Sequence, residues 1–248
     1  MSDLEKAVLE IQAADSNESA FSAFNGAIQR YGYNNACYTL MTDHMSIDQP
    51  AFHGHATSYP EDWLKFYNEQ NYQVIDAVWH RLLQSPTPFF WNAHVDHVVR
   101  DPEALGLAKK VMNEAEEAGV ADGIGVSFVN LHGEIAGLGI SRPENDGVLD
   151  PNVLSDIFFL SAIFHERYQG FFKNKPLPHL TSREKDVLCW AAEGKTDQEI
   201  GLILNVSKGT IRFHWNNIYK KLDVNSKLMA TLVAIRLRLI NPYSLTRY

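Results

Sequence analysis

Helix-start signals follow one another at short intervals in the C-terminal part of the chain. Residues 181–184 and 196–199 both read Thr-x-x-Glu, the spacing of a capping box that satisfies two backbone N–H groups at a helix start. Ser207 and Asn225 are residue types preferred at N-cap positions, and Gly194 can adopt the left-handed conformation that ends a helix. The signals predict four helices, over residues 182–192, 197–203, 207–222 and 226–239.

The third predicted helix has one apolar face and one basic, polar face. Its apolar residues recur every three or four positions, as expected for a single helix face. Arg, Lys and Asn side chains on the other face suit contacts with base edges and phosphates in a DNA major groove. The residues on this face are Lys208, Arg212, Asn216, Lys220 and Lys221. A small helical domain with a solvated charged face has the same pattern, so the helices alone leave both interpretations open.

Charge is unevenly distributed along the chain. The whole sequence carries 22 Lys and Arg against 30 Asp and Glu, a net charge of −8. From residue 176 onward there are 11 basic and 6 acidic residues, a balance of +5, which leaves −13 for the remainder. Any contact with DNA is therefore expected from the basic C-terminal part.

The first 170 residues alternate between helical and strand-like patterns. Residues 122–129 and 134–141 are strand-like runs around a short turn, which predicts a β-hairpin. Further strands are predicted over 36–42 and 51–56, and helices over 3–14, 18–31, 60–70, 77–84, 102–118 and 151–169. This order predicts an α+β fold, with an antiparallel sheet that has helices packed on both sides. We expect domains over residues 1–170 and 180–248, joined by a linker at 171–179 that contains two prolines.

A group of aromatic residues surrounds one carboxylate in the N-terminal part. Tyr59, Trp63 and Tyr67 are four residues apart and share one helix face. With Asp76 and Trp91 they offer apolar area together with a few polar groups, the composition of a small-molecule pocket. The alternative is an ordinary aromatic core with Asp76 as a helix N-cap.

Several function classes find little support in the sequence. The two cysteines suggest no disulfide framework, and His53, His55, His94 and His97 complete no recognised metal-ligand spacing. No catalytic or metal site is expected, so the chain is not predicted to be an enzyme and needs no cofactor. The N-terminus is unlike a signal peptide and no apolar run approaches the roughly 18 residues of a membrane span, which predicts a cytoplasmic protein without a membrane partner.

The C-terminal motifs resemble the LuxR-type helix-turn-helix over about sixty residues. The matching residues are Leu180-Thr181-x-Arg183-Glu184, Val187-Leu188, Gly194-Lys195-Thr196, Glu199-Ile200, Val206-Ser207-x-x-Thr210-Ile211, His214 and Lys221-Leu222. The resemblance implies that the third helix reads DNA and that the fourth helps the protein dimerise. By position, it implies base contacts for Arg212 and Asn216. The same comparison implies phosphate contacts for Thr181, Lys195, Thr210, Lys220 and Lys221.

The N-terminal motifs resemble the autoinducer-binding domain of LuxR-type quorum-sensing receptors. The matching residues are Tyr59-Pro60-x-x-Trp63-x-x-x-Tyr67, Tyr72, Asp76, Trp91, Gly133-Glu134 and Gly137-Leu138. The resemblance implies an α/β/α sandwich that binds an N-acyl-homoserine lactone. It assigns the lactone carbonyl to the Trp63 indole, the ligand amide N–H to Asp76 and the acyl carbonyl to Tyr59. Tyr67 and Trp91 become walls of the pocket.

The sequence departs from the family pattern after Asp76 and at residue 139. Ala77 follows Asp76 where the family usually has proline, which predicts a looser loop, and Val78 and Trp79 follow it at the pocket. Gly139 stands where many members have Ser or Thr, which predicts a loss of one ligand hydrogen bond and extra room for the acyl chain.

These observations predict a ligand-responsive transcription factor that binds double-stranded promoter DNA as a homodimer, with RNA polymerase as a further candidate partner. A regulator of the same type that responds to a different small ligand, or to none, is the alternative.

Overall fold

The chain divides into two compact units in the computed structural model, which describes residues 2–97, 99–145, 147, 149–172 and 176–241. The first unit comprises Met1–Asn130 and Glu134–Lys173, and the second comprises Leu131–Gly133 and Asn174–Tyr248. Parts of the predicted linker at 171–179 and the end of the predicted C-terminal domain lie outside the described residues.

The described residues of the first unit form a five-stranded antiparallel sheet in the order β2-β1-β5-β4-β3. The strands are β1 (Asn35–Leu40), β2 (Phe52–Thr57), β3 (Phe89–Phe90), β4 (Asp122–Val129) and β5 (Ile135–Arg142). The predicted hairpin is confirmed, because β4 and β5 pair along their full length, with Gly125 opposite Gly139. The two-residue strand β3 was not predicted from the sequence.

Helices cover both faces of this sheet, so the predicted α+β class and α/β/α sandwich are confirmed. One face packs against α1 (Asp3–Gln12), α2 (Asn17–Gln29) and α7 (Pro151–Gln169). The other faces α3 (Glu61–Glu69), a 3-10 turn at Tyr72–Val74, α4 (Ala77–Gln84), α5 (Trp91–His97) and α6 (Pro102–Glu117).

Alternation along the strands separates the two faces of the sheet. Tyr38 and Leu138 point to the α7 side, where they are fully buried together with Phe164. These side chains belong to one continuous core cluster on this side of the sheet. Burial of each large apolar side chain contributes roughly 1.5–3 kcal/mol to stability. Cys37 and Gly139 point to the opposite side and line a cavity there.

The described part of the second unit is formed by α8 (Ser182–Ala192), α9 (Asp197–Leu204), α10 (Lys208–Leu222) and α11 (Lys227–Arg236). Both predicted capping boxes are present, at Thr181 and at Thr196. Gly194 follows α8 with a φ of +79°, the left-handed conformation expected there. The four-helix prediction is therefore confirmed.

Two details of the second unit differ from the sequence-based prediction. The N-cap of α11 is Ser226, whose hydroxyl accepts the Met229 N–H, whereas Asn225 was expected in that role. Ile203 was expected to face inward with Ile200, but its exposed fraction is 43% because the short helix α9 buries Ile200 and Gly201 instead.

In the part of the chain that the structure describes, no helix combines the length and the apolar character needed to cross a membrane.

Candidate ligand pocket and nucleic-acid interface

A cavity of about 80 Å³ lies between the sheet and the helical layer formed by α3, α4, α5 and α6. Strands β1, β2 and β5 form its floor, and the helices contribute its walls. All seven residues predicted to bind a ligand line this cavity: Tyr59, Trp63, Tyr67, Asp76, Val78, Trp91 and Gly139. The fold thus brings the predicted pocket residues together, and their role in binding stays a prediction.

Asp76 connects the cavity to the start of α4. One carboxylate oxygen, Oδ1, accepts the backbone N–H of Val78 at 2.8 Å, so Asp76 is the N-cap of the helix. The other, Oδ2, accepts the Tyr67 hydroxyl at 2.8 Å. A carboxylate has about four acceptor positions, so these two bonds leave capacity for a ligand N–H. Burial raises the pKa of Asp76, and the hydrogen bonds from Tyr67 and the backbone oppose that rise.

Tyr67 therefore does more than the wall role predicted for it. Its hydroxyl donates to Asp76, and its ring contacts Trp63 edge to face at a centroid distance of 5.9 Å. Burial raises the pKa of Tyr67 well above its usual value, and the nearby Asp76 charge adds to the rise. The hydroxyl accordingly remains a proton donor, which fixes the orientation of the Asp76 carboxylate.

Gly139 does not provide the extra room predicted for it. A Cβ atom at this position would lie 2.7 Å from the Tyr59 Oη and 3.3 Å from Trp91 Cζ2. The space that a serine or threonine side chain would need is therefore filled by Tyr59. Burial raises the pKa of Tyr59 well above its usual value, so its hydroxyl also stays protonated.

Trp91 contains an unused hydrogen-bond donor. Its indole Nε1 is buried and has no hydrogen-bond partner among the residues that the structure describes. A buried donor without a partner costs about 1–3 kcal/mol, which a ligand oxygen could recover. From the sequence, Trp91 was predicted only to form a wall of the pocket. Whether its indole N–H has a hydrogen-bond partner depends on residues distant in sequence and could not be predicted.

Several cavity residues were not predicted as ligand-binding residues. Thr39 and Met41 follow Cys37 at alternate positions, and all three line the cavity. The period-two spacing of β1 could have identified them once the pocket side of that strand was known. His53 and Trp79 also line the cavity, with their rings edge to face at 5.3 Å. His53 Nδ1 lies 2.9 Å from Asn68 Oδ1, and burial lowers the pKa of His53.

Ala77 in place of the usual proline was predicted to loosen the loop at Asp76, and this stays a prediction. Ala77 is the first residue of α4, and the side chain of Asp76 caps the helix. The departure from proline therefore leaves the helix start intact.

The second unit presents a basic face on α10. Lys208, Arg212, Asn216 and Lys220 are exposed along this helix, and Ile211, Trp215 and Ile218 are buried on its other side. The Trp215 indole donates to Asp197 Oδ1 at 3.0 Å, which ties α10 to the start of α9.

Three of the remaining predicted DNA-contact residues have structural partners of their own. Thr181 is the N-cap of α8, and the Thr210 hydroxyl lies 2.9 Å from the Ser207 hydroxyl. Lys221 forms an ion pair with the buried Glu184 at 2.6 Å. Lys195 is exposed in the turn after α8.

Within the described ranges, no group of three or more His, Cys, Asp or Glu side chains is arranged to hold a metal ion. The side chain of His97, one member of the weak histidine cluster, lies outside the described residues.

Both units match family models. The autoinducer-binding domain model matches residues 16–168, and the model of the luxR family of bacterial regulatory proteins matches residues 178–234. The chain belongs to the LuxR family of transcriptional regulators. As a LuxR-type regulator it has a small-molecule domain and a DNA-binding helix-turn-helix, and it is not an enzyme.

Individual relatives agree with this assignment. The LuxR-type chain is 32% identical to the HTH-type quorum sensing-dependent transcriptional regulator RpaR of Rhodopseudomonas palustris, over 75% of this chain and 74% of RpaR. Escherichia coli SdiA has the same fold, with a TM-score of 0.70 at 22% identity over 95% of this chain and 97% of SdiA. A structure of SdiA with octanoyl-rac-glycerol gives a TM-score of 0.69 at 22% identity, over 94% of this chain and 93% of that one.

Proposed function

We propose that this LuxR-type regulator is a quorum-sensing transcription factor that binds an N-acyl-homoserine lactone in the cavity of residues 1–170 and promoter DNA through residues 180–248. The observation that carries the proposal is the Asp76 carboxylate, held by Tyr67 in the lining of a mainly apolar cavity. A fixed acceptor among aromatic rings suits a ligand with one amide N–H and an apolar chain.

Three polar groups of the cavity have a counterpart in the lactone. Asp76 accepts the amide N–H, Tyr59 donates to the acyl carbonyl and the Trp63 indole donates to the lactone carbonyl. Tyr67 and Trp91 enclose the ring and the first carbons, and the unused Trp91 N–H is a further donor for a ligand oxygen. Val78 and Gly139 complete the wall beside these groups.

Ligand binding is proposed to control the protein through its stability. A ligand that binds only the folded state adds about 4 kcal/mol at a concentration a thousandfold above its Kd. For a protein of this size that corresponds to an increase in Tm of roughly 8–16 °C. The bound ligand is proposed to complete the core of the N-terminal domain. The stabilised domain then supports dimerisation and DNA binding in the cytoplasm.

The proposed DNA interface is the basic face of α10. The helix is proposed to lie in the major groove, with Arg212 and Asn216 contacting base edges. The phosphate contacts are assigned to Thr181, Lys195, Lys208, Thr210, Lys220 and Lys221. Two such units in a homodimer would occupy successive major grooves, roughly 34 Å apart, beside a bound RNA polymerase.

The exposed apolar residues of α11 support the proposed dimer. Leu228 has an exposed fraction of 69% and Leu232 of 51%, one helical turn apart. Exposed apolar side chains at this spacing form a stripe that a second copy of the helix can cover.

A different acyl ligand is the second candidate, because a relative of the same fold, SdiA, has been seen with octanoyl-rac-glycerol. The test is a thermal melt of the full chain with N-acyl-homoserine lactones and, separately, with mono-acylglycerols of equal chain length. We expect the lactones to raise the Tm more. Stabilisation by acylglycerols alone would replace the lactone proposal, and mass spectrometry of small molecules released from the denatured protein would identify the bound compound.

A further inference from the structure

Two glycines on β5 form part of the cavity floor, and different side chains fill the space above them. Gly139 lies under the Tyr59 hydroxyl and the Trp91 ring, both of which contain polar hydrogens. Gly137 lies under Met41, with a Cβ at Gly137 meeting the Met41 sulfur at 2.7 Å and Leu82 Cδ1 at 3.3 Å. The side chains over Gly139 therefore form a polar end of the floor, whereas Met41 and Leu82 over Gly137, beside Thr39, form a mainly apolar end.

The two ends also differ in how easily they can move. Tyr59 and Trp91 are large rings with few rotatable bonds, and both line the cavity. Methionine has three rotatable bonds and a polarisable sulfur, so it fills irregular gaps and leaves them readily. Residues two apart on a strand are separated by roughly 7 Å, which is about the length of a five- or six-carbon chain.

The present cavity volume of about 80 Å³ is small beside the roughly 300–1,000 Å³ of most ligand pockets. A ligand of that class can enter only if a lining side chain moves. Among the side chains at the apolar end, Met41 has the greatest freedom to do so, and the space it leaves lies over a glycine that has no Cβ to obstruct it.

We propose that Met41, packed on Gly137, is the adjustable end wall that sets which acyl-chain lengths this receptor accepts. The inference rests on the proposed lactone-binding function and specifies its substrate class. The lactone and amide lie toward Gly139, and the last carbons of the acyl chain replace the Met41 side chain over Gly137.

The geometry predicts opposite effects for two substitutions. Met41→Ala removes three side-chain atoms beyond Cβ, which leaves room for about two to three more methylene groups. Each methylene that becomes buried should improve Kd about fourfold. Gly137→Ala adds a Cβ only 2.7 Å from the Met41 sulfur, so Met41 must shift; we expect it to shift into the cavity and shorten the accepted chain.

The experiment is a competition that works whether or not the ligand-free protein folds. The full chain is produced in medium with an equimolar mixture of N-acyl-homoserine lactones from four to fourteen acyl carbons. Mass spectrometry then measures the lactones retained by the purified protein. We expect the preferred length to increase by two to three carbons in Met41→Ala and to decrease in Gly137→Ala. In the double variant the Gly137→Ala effect should become smaller, because the added Cβ still takes up space but no Met41 side chain remains to be displaced.

Met112→Ala is the matched control, since Met112 lines the same cavity from α6 and loses the same atoms. It should change the preferred length less than Met41→Ala does. If Met112→Ala lengthens the preferred chain as much as Met41→Ala does, total volume and not Met41 sets the limit, and the inference is wrong.

Two other results are informative. An unchanged length profile in a Met41→Ala protein that still binds lactones contradicts the inference and leaves the proposed function standing. Absence of any lactone from the wild type and every variant contradicts the proposed function itself, and the inference falls with it. Should Met41→Ala be insoluble, Met41→Leu, which is shorter by one bond, should lengthen the preferred chain by about one carbon.

Discussion

The Tyr67 hydroxyl donates a 2.8 Å hydrogen bond to Asp76, and the second oxygen of that carboxylate caps α4 through the Val78 N–H. One side chain thus holds the start of a helix and presents an acceptor to the cavity. The sequence offered these as competing interpretations of Asp76, and the structure shows that capping and a place in the cavity wall are compatible.

Asp76→Asn tests the acceptor separately from the cap. Asparagine is as good an N-cap as aspartate, so α4 should remain folded. A hydrogen bond to a charged group contributes about 1.5–3 kcal/mol, so we expect ligand Kd to rise roughly 10- to 150-fold. Isothermal titration with the preferred lactone measures the change. Tyr67→Phe, which keeps the ring and the carboxylate, is the control and should lose less affinity. An Asp76→Asn protein with wild-type affinity would contradict the proposed pose.

Because His165 is buried, we expect the stability of the N-terminal domain to decrease in acid. Its Nδ1 lies 2.9 Å from the Tyr38 hydroxyl on the α7 side of the sheet, and burial lowers the pKa of His165 from 6.5 to about 4. Between those values the unfolded chain binds more protons than the folded one, so stability decreases as pH falls from 6.5 toward 4. The shift corresponds to about 3 kcal/mol.

Urea unfolding at pH 7 and pH 4.5 measures this loss. In His165→Gln, which keeps a polar side chain without the titration, the difference in unfolding free energy between the two pH values should become smaller. An equal pH dependence in wild type and variant would exclude His165 as its source.

Ala77→Pro should stabilise the chain. Ala77 is the first residue of α4, a position where proline needs no N–H, and the preceding Asp76 is extended with a ψ of 114°, as suits a residue before proline. Proline also restricts the unfolded chain, which contributes roughly 0.4–1 kcal/mol and raises the Tm by about 1–4 °C. Val78→Pro is the matched control, because it removes the N–H that Asp76 accepts, and it should lower the Tm. A decrease in Tm for Ala77→Pro would show that the helix does not start where the structure places it.

The parts of the fold that could be predicted from the sequence are those set by residues close together in the chain. The caps at Thr181 and Thr196 are set by residues three apart, and both were predicted correctly. The short strand Phe89–Phe90 and the helix that follows it are held by β4 and lie after two prolines, so local pattern gave no signal for them.

In the pocket, too, features set by nearby residues were predicted and features set by distant residues were not. Spacing placed Tyr59, Trp63 and Tyr67 on one side of a helix start, and the fold brings them to one cavity. The close approach of Tyr59 to Gly139 joins residues eighty positions apart, so sequence suggested an empty space where the structure has a hydroxyl group.

Neighbouring lysines on α10 should have separable effects. Lys221 pairs with Glu184 at 2.6 Å, whereas Lys220 is exposed on the basic face. Burial opposes ionisation of Glu184, but hydrogen bonds from Lys221 and Thr181 hold its pKa below the usual value. Removal of Lys221 leaves a buried carboxylate without its cation, so Lys221→Met should destabilise the C-terminal domain by about 1–3 kcal/mol.

Lys220→Met should leave stability unchanged and reduce the salt dependence of DNA binding by about one unit of the log–log slope. Thermal melts and binding titrations at several salt concentrations, with an operator selected from a random library, compare the two variants. A lower Tm for Lys220→Met than for Lys221→Met would reverse the assignment.

Gly139→Ala tests whether Tyr59 occupies the space over β5. The new Cβ would lie 2.7 Å from the Tyr59 Oη, closer than such atoms can approach, so the Tyr59 ring must shift away from the strand. Because that hydroxyl is the proposed donor to the acyl carbonyl, we expect a weaker ligand affinity by about 1–3 kcal/mol, or roughly 5- to 150-fold in Kd. Tyr59→Phe alone should weaken binding by a similar amount, since it removes the donor directly.

The double variant tests whether the collision with Oη is the cause. Adding Gly139→Ala to Tyr59→Phe should then produce little further loss of ligand affinity, so the losses of the two single variants should not add. Additive losses in titrations of the two single variants and the double variant would show that Gly139 acts through another neighbour, such as the Trp91 ring 3.3 Å away.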